Sequence, residues 1–338
     1  MKKNKIISID STVGGNGDVW MRLVSLYTIS SLKTDIQFYI KIPLFLNNLA
    51  TNTFGDRLII IKDSEFICEY NFTSLGIKDL LKDILKGQKF ISPYARSVIH
   101  DKKKKELKDS INLILYYFLD AFGFIQVPNK KWIEVYQGYL DIIGIKKLRS
   151  VSYESYLKQL EIDYPFLVSK LGSTIPISPE LKLPEDLKQN IVVFPTGTSR
   201  QFIPIWWAKK NMPDAYYAFF YKDKDADEFI ENKLKVIHFF DEPGDIISLS
   251  HNAKWTLTTD SFPSHLLQYA TENCTVTITE VLKSRIISPI FKGKVVDSIV
   301  NCHPCLHLIR SVNCAAGYKE CLNWKNIDYS NDILNKLN

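Results

Sequence analysis

The chain has 338 residues, 46% hydrophobic and 12% aromatic, enough apolar side chain for more than one core and too much for a disordered segment. No apolar run reaches the length of a membrane span, and the opening MKKNKIISID lacks the long apolar stretch of a signal peptide, so a soluble chain acting in the cytoplasm is expected. The formal charge of +6 is too small to argue for nucleic acid, and none is expected as a partner; an anionic ligand or an acidic membrane surface stays open.

In chain order, the first half opens on KIISI, a short apolar run expected as a buried strand. DSTVGGNGD follows as a turn, and VWMRLVSLYTISSL has the length and composition of a helix. IQFYI and RLIII read as further strands, with LFLNNLA between them as a short helix. This alternation predicts parallel strands joined by crossover helices. From about residue 75 to 150 the pattern is mostly helical. Within it lies the densest basic run, HDKKKKELK at 100–108, followed by the apolar SINLILYYFLDAFGF. Two readings of that run stand: a solvated turn ahead of a core helix, or a basic rim facing acidic lipid or glycolipid. Periodicity ends in GSTIPISPELKLPEDLKQN, where proline and polar residues accumulate. A first domain over 1–171 and a linker over 172–190 are therefore expected.

The expected strands of the second half are IVVFP, AYYAFFY, LKVIHFF, KWTLTTD and CTVTIT, with IPIWWAKKN, DADEFIENK, GDIISLSHN and PSHLLQYATEN as the helices between them. The repeat predicts a second doubly wound domain over 191–322, followed by a tail or helix over 323–338. The fold class is α/β, two Rossmann-like domains facing an interdomain cleft. In such sheets ligands bind outside the carboxyl ends of the strands, so chemistry is expected at the strand-to-helix corners.

Three corners carry the polar residues that such a site needs. GGNGD sets Gly14, Gly15, Gly17 and Asp18 between the first strand and its helix. Glycines let a ligand approach the backbone, and a helix start presents free N–H groups to an anion. The spacing matches neither the dinucleotide fingerprint nor the phosphate loop ending in Gly-Lys-Ser/Thr. Asp18 reads either as a helix cap or as a general base. After IVVFP, Thr196, Gly197, Thr198, Ser199 and Arg200 combine small donors, a flexible backbone and a guanidinium, the set that phosphate oxygens need. An ordinary polar turn is the alternative. In TTDSFPSHLLQY, Asp260, Ser261, Ser264 and His265 stand where a strand gives way to a helix, and Pro263 fits a first turn that requires no N–H bond. These residues suit a phosphorylated ligand with His265 as donor; a Ser261 cap beside a satisfied histidine is the alternative.

Six cysteines are few for a secreted scaffold of this length. Cys68 and Cys274 stand alone among apolar residues, as core positions do. CHPCLHLIRSVNCAAGYKEC gathers Cys302, Cys305, Cys314 and Cys321, and a C-x2-C pair followed by two more cysteines favours a four-thiolate metal site over disulfides. Zinc and iron both suit tetrahedral sulfur, and four protein ligands would make the site structural. Cysteines gathered by chance, free or paired, are the alternative.

Taken in order, these segments resemble the bacterial heptosyltransferases of glycosyltransferase family 9. GGNGDVWMRLVSLYTISSL is similar to the family's N-terminal Gly-x-Gly-Asp turn and helix. VVFPTGTSRQFIPIWWAKK is similar to its strand, small-residue loop, basic residue and tryptophan-containing helix, and TTDSFPSHLLQYA to its Asp-Ser/Thr-Gly-x-x-His motif. The cysteine segment is similar to one found in many members. The resemblance implies a GT-B fold, a nucleotide-diphosphate-sugar donor (an ADP-sugar favoured) on the C-terminal domain, and an acceptor on the N-terminal one. The acceptor would be a glycan, a glycolipid or a protein, and the reaction a single inverting displacement.

By the same resemblance, Asp18 is the base that deprotonates the acceptor hydroxyl, and Arg200 neutralises the leaving diphosphate. Thr198, Ser199, Ser261 and His265 hold its oxygens, Asp260 organises their loop, and Gly15, Gly17 and Ser264 complete the expected nucleotide-sugar contacts. Certain members that glycosylate proteins carry an iron-bound cysteine cluster, and the resemblance implies a similar arrangement for the four cysteines. Phe262 stands where the family motif has glycine. Among Asp223, Asp225, Asp227 and Glu228, no one residue is marked as the partner of the donor ribose. Acceptor choice is expected to reside around residues 85–135. A sugar-nucleotide epimerase and a non-catalytic GT-B relative that binds a nucleotide sugar or glycan are the competing readings. A nicotinamide-dependent oxidoreductase would need the full glycine fingerprint, which neither half has.

Overall fold

The computed structural model describes residues 5–12, 14–31, 34–72, 85, 89–91, 125–126, 175–196, 203–277, 283–288, 291–297, 324 and 329–337. Among them the chain forms two six-stranded sheets, and every paired neighbour runs parallel. The first holds β1 (Lys5–Asp10), β2 (Ile36–Lys41), β3 (Leu58–Ile61), β4 (Tyr70–Phe72), β5 (Lys89–Ile91) and β6 (Ile125–Gln126) in the order β3-β2-β1-β4-β5-β6. The second holds β7 (Ile191–Phe194), β8 (Tyr216–Phe220), β9 (Lys235–Phe239), β10 (Trp255–Thr259), β11 (Cys274–Thr277) and β12 (Lys294–Val296) in the order β12-β11-β10-β7-β8-β9. The two sheets lie in two compact units.

Counted from its own first strand, each sheet has the same order. Three strands step outward in one direction, and the fourth returns to lie beside the first. That reversal makes a switch point, between β1 and β4 in the first sheet and between β7 and β10 in the second. Ligands of doubly wound sheets bind at such a point, outside the carboxyl ends of the strands. The α/β, doubly wound architecture expected from the sequence is the one that forms.

The strands follow from their composition. IVVF of β7 and IISI within β1 are apolar without alternation because a parallel sheet is covered on both faces. The described helices are α1 (Asn16–Ser30), α2 (Asn47–Phe54), α3 (Ile205–Asn211), α4 (Asp225–Glu231), α5 (Gly244–Asn252), α6 (Phe262–Leu267), α7 (Lys283–Ile286) and α8 (Ser330–Leu337). Most of α1 is buried, including two serines and a threonine. Ser25, Thr28 and Ser30 donate to the carbonyls of Met21, Val24 and Tyr27 in their own helix, so their burial leaves no donor unmet. None of the described helices is long and apolar enough to cross a membrane.

The core of the second unit is aromatic. Trp207 of α3 meets Trp324 edge-on at 5.4 Å, Trp324 packs on Tyr329 at 4.9 Å, and Phe229 of α4 lies 5.0 Å from Tyr217 and 4.9 Å from Phe219. Ile333 and Leu337 of α8 join the same core, and Trp207 Nε1 donates to Ser330 Oγ at 3.1 Å. The expected tail at 323–338 thus helps to build the second unit. So does part of the expected linker: Ser178 is buried, and its N–H donates to Asp245 of α5.

The two lone cysteines behave as core residues. Cys68 and Cys274 are buried and free. Burial, then the Asp10 charge, pushes the Cys68 thiol up to about 11 against the opposing pull of Lys41. Burial pushes that of Cys274 up to about 12, a Thr258 hydrogen bond opposing. Four strands were not expected: β4, β5 and β6 in the first sheet, two of them inside the stretch that reads as helical, and β12 in the second. Each spans two or three residues, too short for periodicity to show.

Candidate functional site

At the switch point of the second sheet, β10 ends in Thr258 and Thr259, and the chain turns through Asp260 into α6. Ser261 takes the N-cap position with extended backbone (φ −153°, ψ 174°), and Pro263 sits inside the first turn. The Ser261 hydroxyl does not cap the helix; it donates to the Thr259 carbonyl at 3.3 Å. Ser264 closes the corner instead. Its Oγ accepts the Ser261 N–H at 3.3 Å and donates to the Ser261 carbonyl at 2.8 Å.

Asp260 and His265 are buried together, 5% and 7% exposed, with His265 Nε2 3.4 Å from Asp260 Oδ1. His265 Nδ1 is buried and has no hydrogen-bond partner. The histidine is therefore held on one side and unsatisfied on the other. In the imidazolium form both ring nitrogens donate, so Nε2 can serve Asp260 while Nδ1 serves an oxygen that is not part of the corner. Phe262, the first residue of α6, is half-buried at this turn.

The neighbouring strand end belongs to β7, which runs on through Pro195 to Thr196. The Ile203 N–H donates to the Pro195 carbonyl at 2.9 Å. Thr196 Oγ1 donates to Asp223 Oδ2 at 2.8 Å, and Asp223 Oδ1 accepts the Asp225 N–H at 3.1 Å. Of the four acids near the end of β8, Asp223 is thus the one tied to the β7 loop. Asp225, Asp227 and Glu228 occupy the first turn of α4, where burial, then the Asp223 charge, raises the Asp225 pKa.

In the first unit, the switch point lies where β1 leads into α1. Asp10 ends the strand, and its Oδ1 accepts both the N–H and the hydroxyl of Thr12, at 2.9 and 2.6 Å. Gly14 has φ 106°, a left-handed conformation that favours glycine. Gly15 is the N-cap, Gly17 is buried, and Asp18 is the third helical residue. Asp18 Oδ2 accepts the Gly15 N–H at 3.1 Å, the return half of a capping box. Asp18 is half-buried.

Some expected residues lie outside the described ones: Gly197, Thr198, Ser199 and Arg200 of the β7 loop, the basic run at 100–108, and Cys302, Cys305, Cys314 and Cys321. Among the described residues, no group of three His, Cys, Asp or Glu is arranged to hold a metal. Sequence reading also passed over three residues at these corners. Arg22, one turn beyond Asp18, is 1% exposed and donates to Ser11 Oγ at 3.2 Å. Thr259 and Thr277 are register partners on β10 and β11, and both hydroxyls are buried without a partner. Nothing in the sequence separates them from Thr256, whose hydroxyl pairs with Ser250 at 2.8 Å.

No protein-family model matches the chain, and no curated protein sequence does. Solved structures do. The chain superposes on E. coli ADP-heptose LPS heptosyltransferase II with a TM-score of 0.50 at 12% identity, over 86% of this chain and 90% of that one. It is also similar to E. coli heptosyltransferase WaaC with ADP, with a TM-score of 0.49 at 10% identity, over 86% and 93% of the two chains. A glycosyl transferase family 9 protein from Veillonella parvula DSM 2008 matches with a TM-score of 0.46 at 10% identity, over 89% of each chain. A UDP-N-acetylglucosamine 2-epimerase superposes less well, with a TM-score of 0.39. At these identities the likeness is one of fold: the chain has a heptosyltransferase-like GT-B fold.

Proposed function

We propose that the protein is an inverting glycosyltransferase that moves a sugar, heptose in the first instance, from a nucleotide-diphosphate donor to a hydroxyl of a glycan, glycolipid or protein. The observation that carries this reading is the buried Asp260–His265 pair at the second switch point, with His265 Nδ1 unsatisfied. A buried polar atom without a partner costs about 1–3 kcal/mol, and a ligand oxygen at that nitrogen would recover it. The shared fold with an ADP-heptose LPS heptosyltransferase supports a nucleotide-sugar donor and favours ADP as its diphosphate. On this reading residues 191–322 bind the donor and residues 1–171 the acceptor.

The acceptor oxygen attacks the anomeric carbon as the bond to the diphosphate breaks, and the acceptor proton passes to Asp18. Negative charge grows on the departing diphosphate, where fixed donors in a water-poor site are worth most. His265 Nδ1 supplies a donor from the β10 side, where Ser261 and Ser264 spend their hydroxyl hydrogens holding the turn in shape, and Thr198, Ser199 and Arg200 supply donors from the β7 loop. Asp260 holds the imidazole in place. Asp223, already turned toward the β7 loop by Thr196, is the carboxylate best situated for a ribose hydroxyl.

Thermal-shift and calorimetric titration with ADP, UDP, GDP, CDP and dTDP tests the donor half. One diphosphate should stabilise the protein, and His265→Ala should remove most of that gain. Silence across all five overturns the reading. Phe262 favours one competitor, a non-catalytic binder, because a side chain stands where the family motif leaves the backbone bare. Donor binding without transfer or slow donor hydrolysis would decide for it.

A further inference from the structure

One carboxylate of the second unit has no part in the chemistry above. Asp245, the second residue of α5, is 0% exposed. Its Oδ1 accepts the Ser178 N–H at 2.7 Å, and its Oδ2 accepts the Phe240 N–H at 2.8 Å. A carboxylate is buried at such depth only when its oxygens are met, and here two backbone donors and the first turn of α5 meet them. The donors come from distant parts of the chain. Ser178 belongs to the coil 175–178 ahead of β7, and Phe240 follows the end of β9. Beside them, a Cβ on Gly244 would stand 1.9 Å from the Pro176 carbonyl oxygen and 2.4 Å from Ile175 Cγ2, so the coil lies directly on the helix start.

The corner held by Asp245 is also the ligand edge of the sheet. The Phe240 ring stacks on Tyr221 at 5.3 Å and 30°, and the Tyr221 hydroxyl donates to Asp241 at 3.0 Å. Two residues on, Asp223 accepts from Thr196 at the root of the β7 loop. Direct contacts and short stretches of chain therefore run from the coil 175–178, through Asp245 and Phe240, to the strand ends where the diphosphate is expected.

We propose that Asp245 is a positioning residue for the nucleotide site: it holds the backbones of Ser178 and Phe240 at once, so the ligand-facing corner after β9 keeps its place only while the coil 175–178 stays docked. Asp245 itself touches no ligand. The inference rests on the nucleotide-sugar reading and adds to it a dependence of ligand binding on a remote segment.

The test is calorimetry and hydrogen–deuterium exchange on the full chain, using the best-binding nucleoside diphosphate, for the wild type, Asp245→Asn and Gly244→Ala. Asparagine keeps the shape but offers one acceptor oxygen to two donors. Alanine at 244 pushes the coil away and leaves the carboxylate untouched. In the wild type the diphosphate should slow exchange over both 175–181 and 239–246. Either variant should bind it about fivefold more weakly and lose the response at 175–181. A variant that melts earlier but binds with wild-type affinity and keeps that response overturns the proposal and leaves Asp245 a structural residue. A wild-type coil that ignores the ligand overturns it too, without need of a folded variant. If no diphosphate binds the wild type, the nucleotide reading itself falls and this inference with it.

Discussion

The two units share one strand order and build their switch points from different materials. In the first, the corner between β1 and α1 is mostly backbone, with Gly14 in a left-handed conformation and Gly15 exposed at the cap, and its two carboxylates are turned to local donors, Asp10 to Thr12 and Asp18 to Gly15. In the second, the corner between β10 and α6 is side chain: Asp260, Ser261, Ser264 and His265, all buried. An open backbone corner can fit varied partners and leave a carboxylate within reach of a hydroxyl. A buried corner of donors can hold charge where water screens it least. On the proposed reading, the proton therefore belongs to the first unit and the anion to the second.

The largest expected effect is the loss of a metal. If Cys302, Cys305, Cys314 and Cys321 bind the metal that their spacing leads one to expect, purified protein should hold about one zinc or iron per chain, and a chelator should lower its Tm sharply. Metal-free protein with an unchanged Tm would leave the second unit's charged corner to stand on its own. Next, Asp18→Asn keeps the acceptor for Gly15 and removes the base, so transfer should fall roughly 10²–10⁴-fold while donor Kd stays put. Equal losses in both would erase the division of labour between the units. His265→Ala or Arg200→Ala should weaken diphosphate binding about 10- to 100-fold, as expected for a hydrogen bond to a charged group. Unchanged affinity takes the residue out of the site.

Smaller effects probe the frames around the two corners. Gly14→Ala forces a side chain into φ 106° and should cost about 1–2 kcal/mol in urea unfolding without touching donor affinity. The buried Cys274 thiol should leave a mark only in alkali. Its pKa rises from 9.0 to about 12 on folding, so the unfolded chain loses the proton first. Its contribution is intact below pH 9 and declines as pH climbs from there toward 12. Cys274→Ala should flatten that decline, and an unchanged slope would show that the thiol does not titrate with unfolding.

Much of this was readable along the chain. A run such as IVVF declares a strand covered on both faces, and the small or polar residues after it declare a corner. GGNGD and TTDSFPSHLL could therefore be placed at strand-to-helix turns from neighbouring residues alone. The roles within those turns were less legible. Asp18 reads as a cap or a base from sequence, and the structure gives it the capping bond without removing the second role. Ser261 occupies the cap position, yet Ser264 supplies the bond back to it, a choice made by how the turn packs.

What sequence alone determined were the local facts: two strand-and-helix halves, glycine where backbone must bend, polar residues where strands end. Those depend on steric and hydrophobic preferences that act over a few residues. The tertiary structure decided which strand ends become neighbours. Pairing β7 with β10 sets the end of β7 beside the strand end that leads into Asp260, and pairing β7 with β8 and β8 with β9 brings Asp223 to Thr196 and Phe240 to Tyr221. Asp245 shows the limit most plainly, because one of its two donors lies 67 residues away and nothing near it in the chain announces the partner. A buried carboxylate must find its hydrogen bonds wherever the fold delivers them, and only the folded sheet fixes where that is.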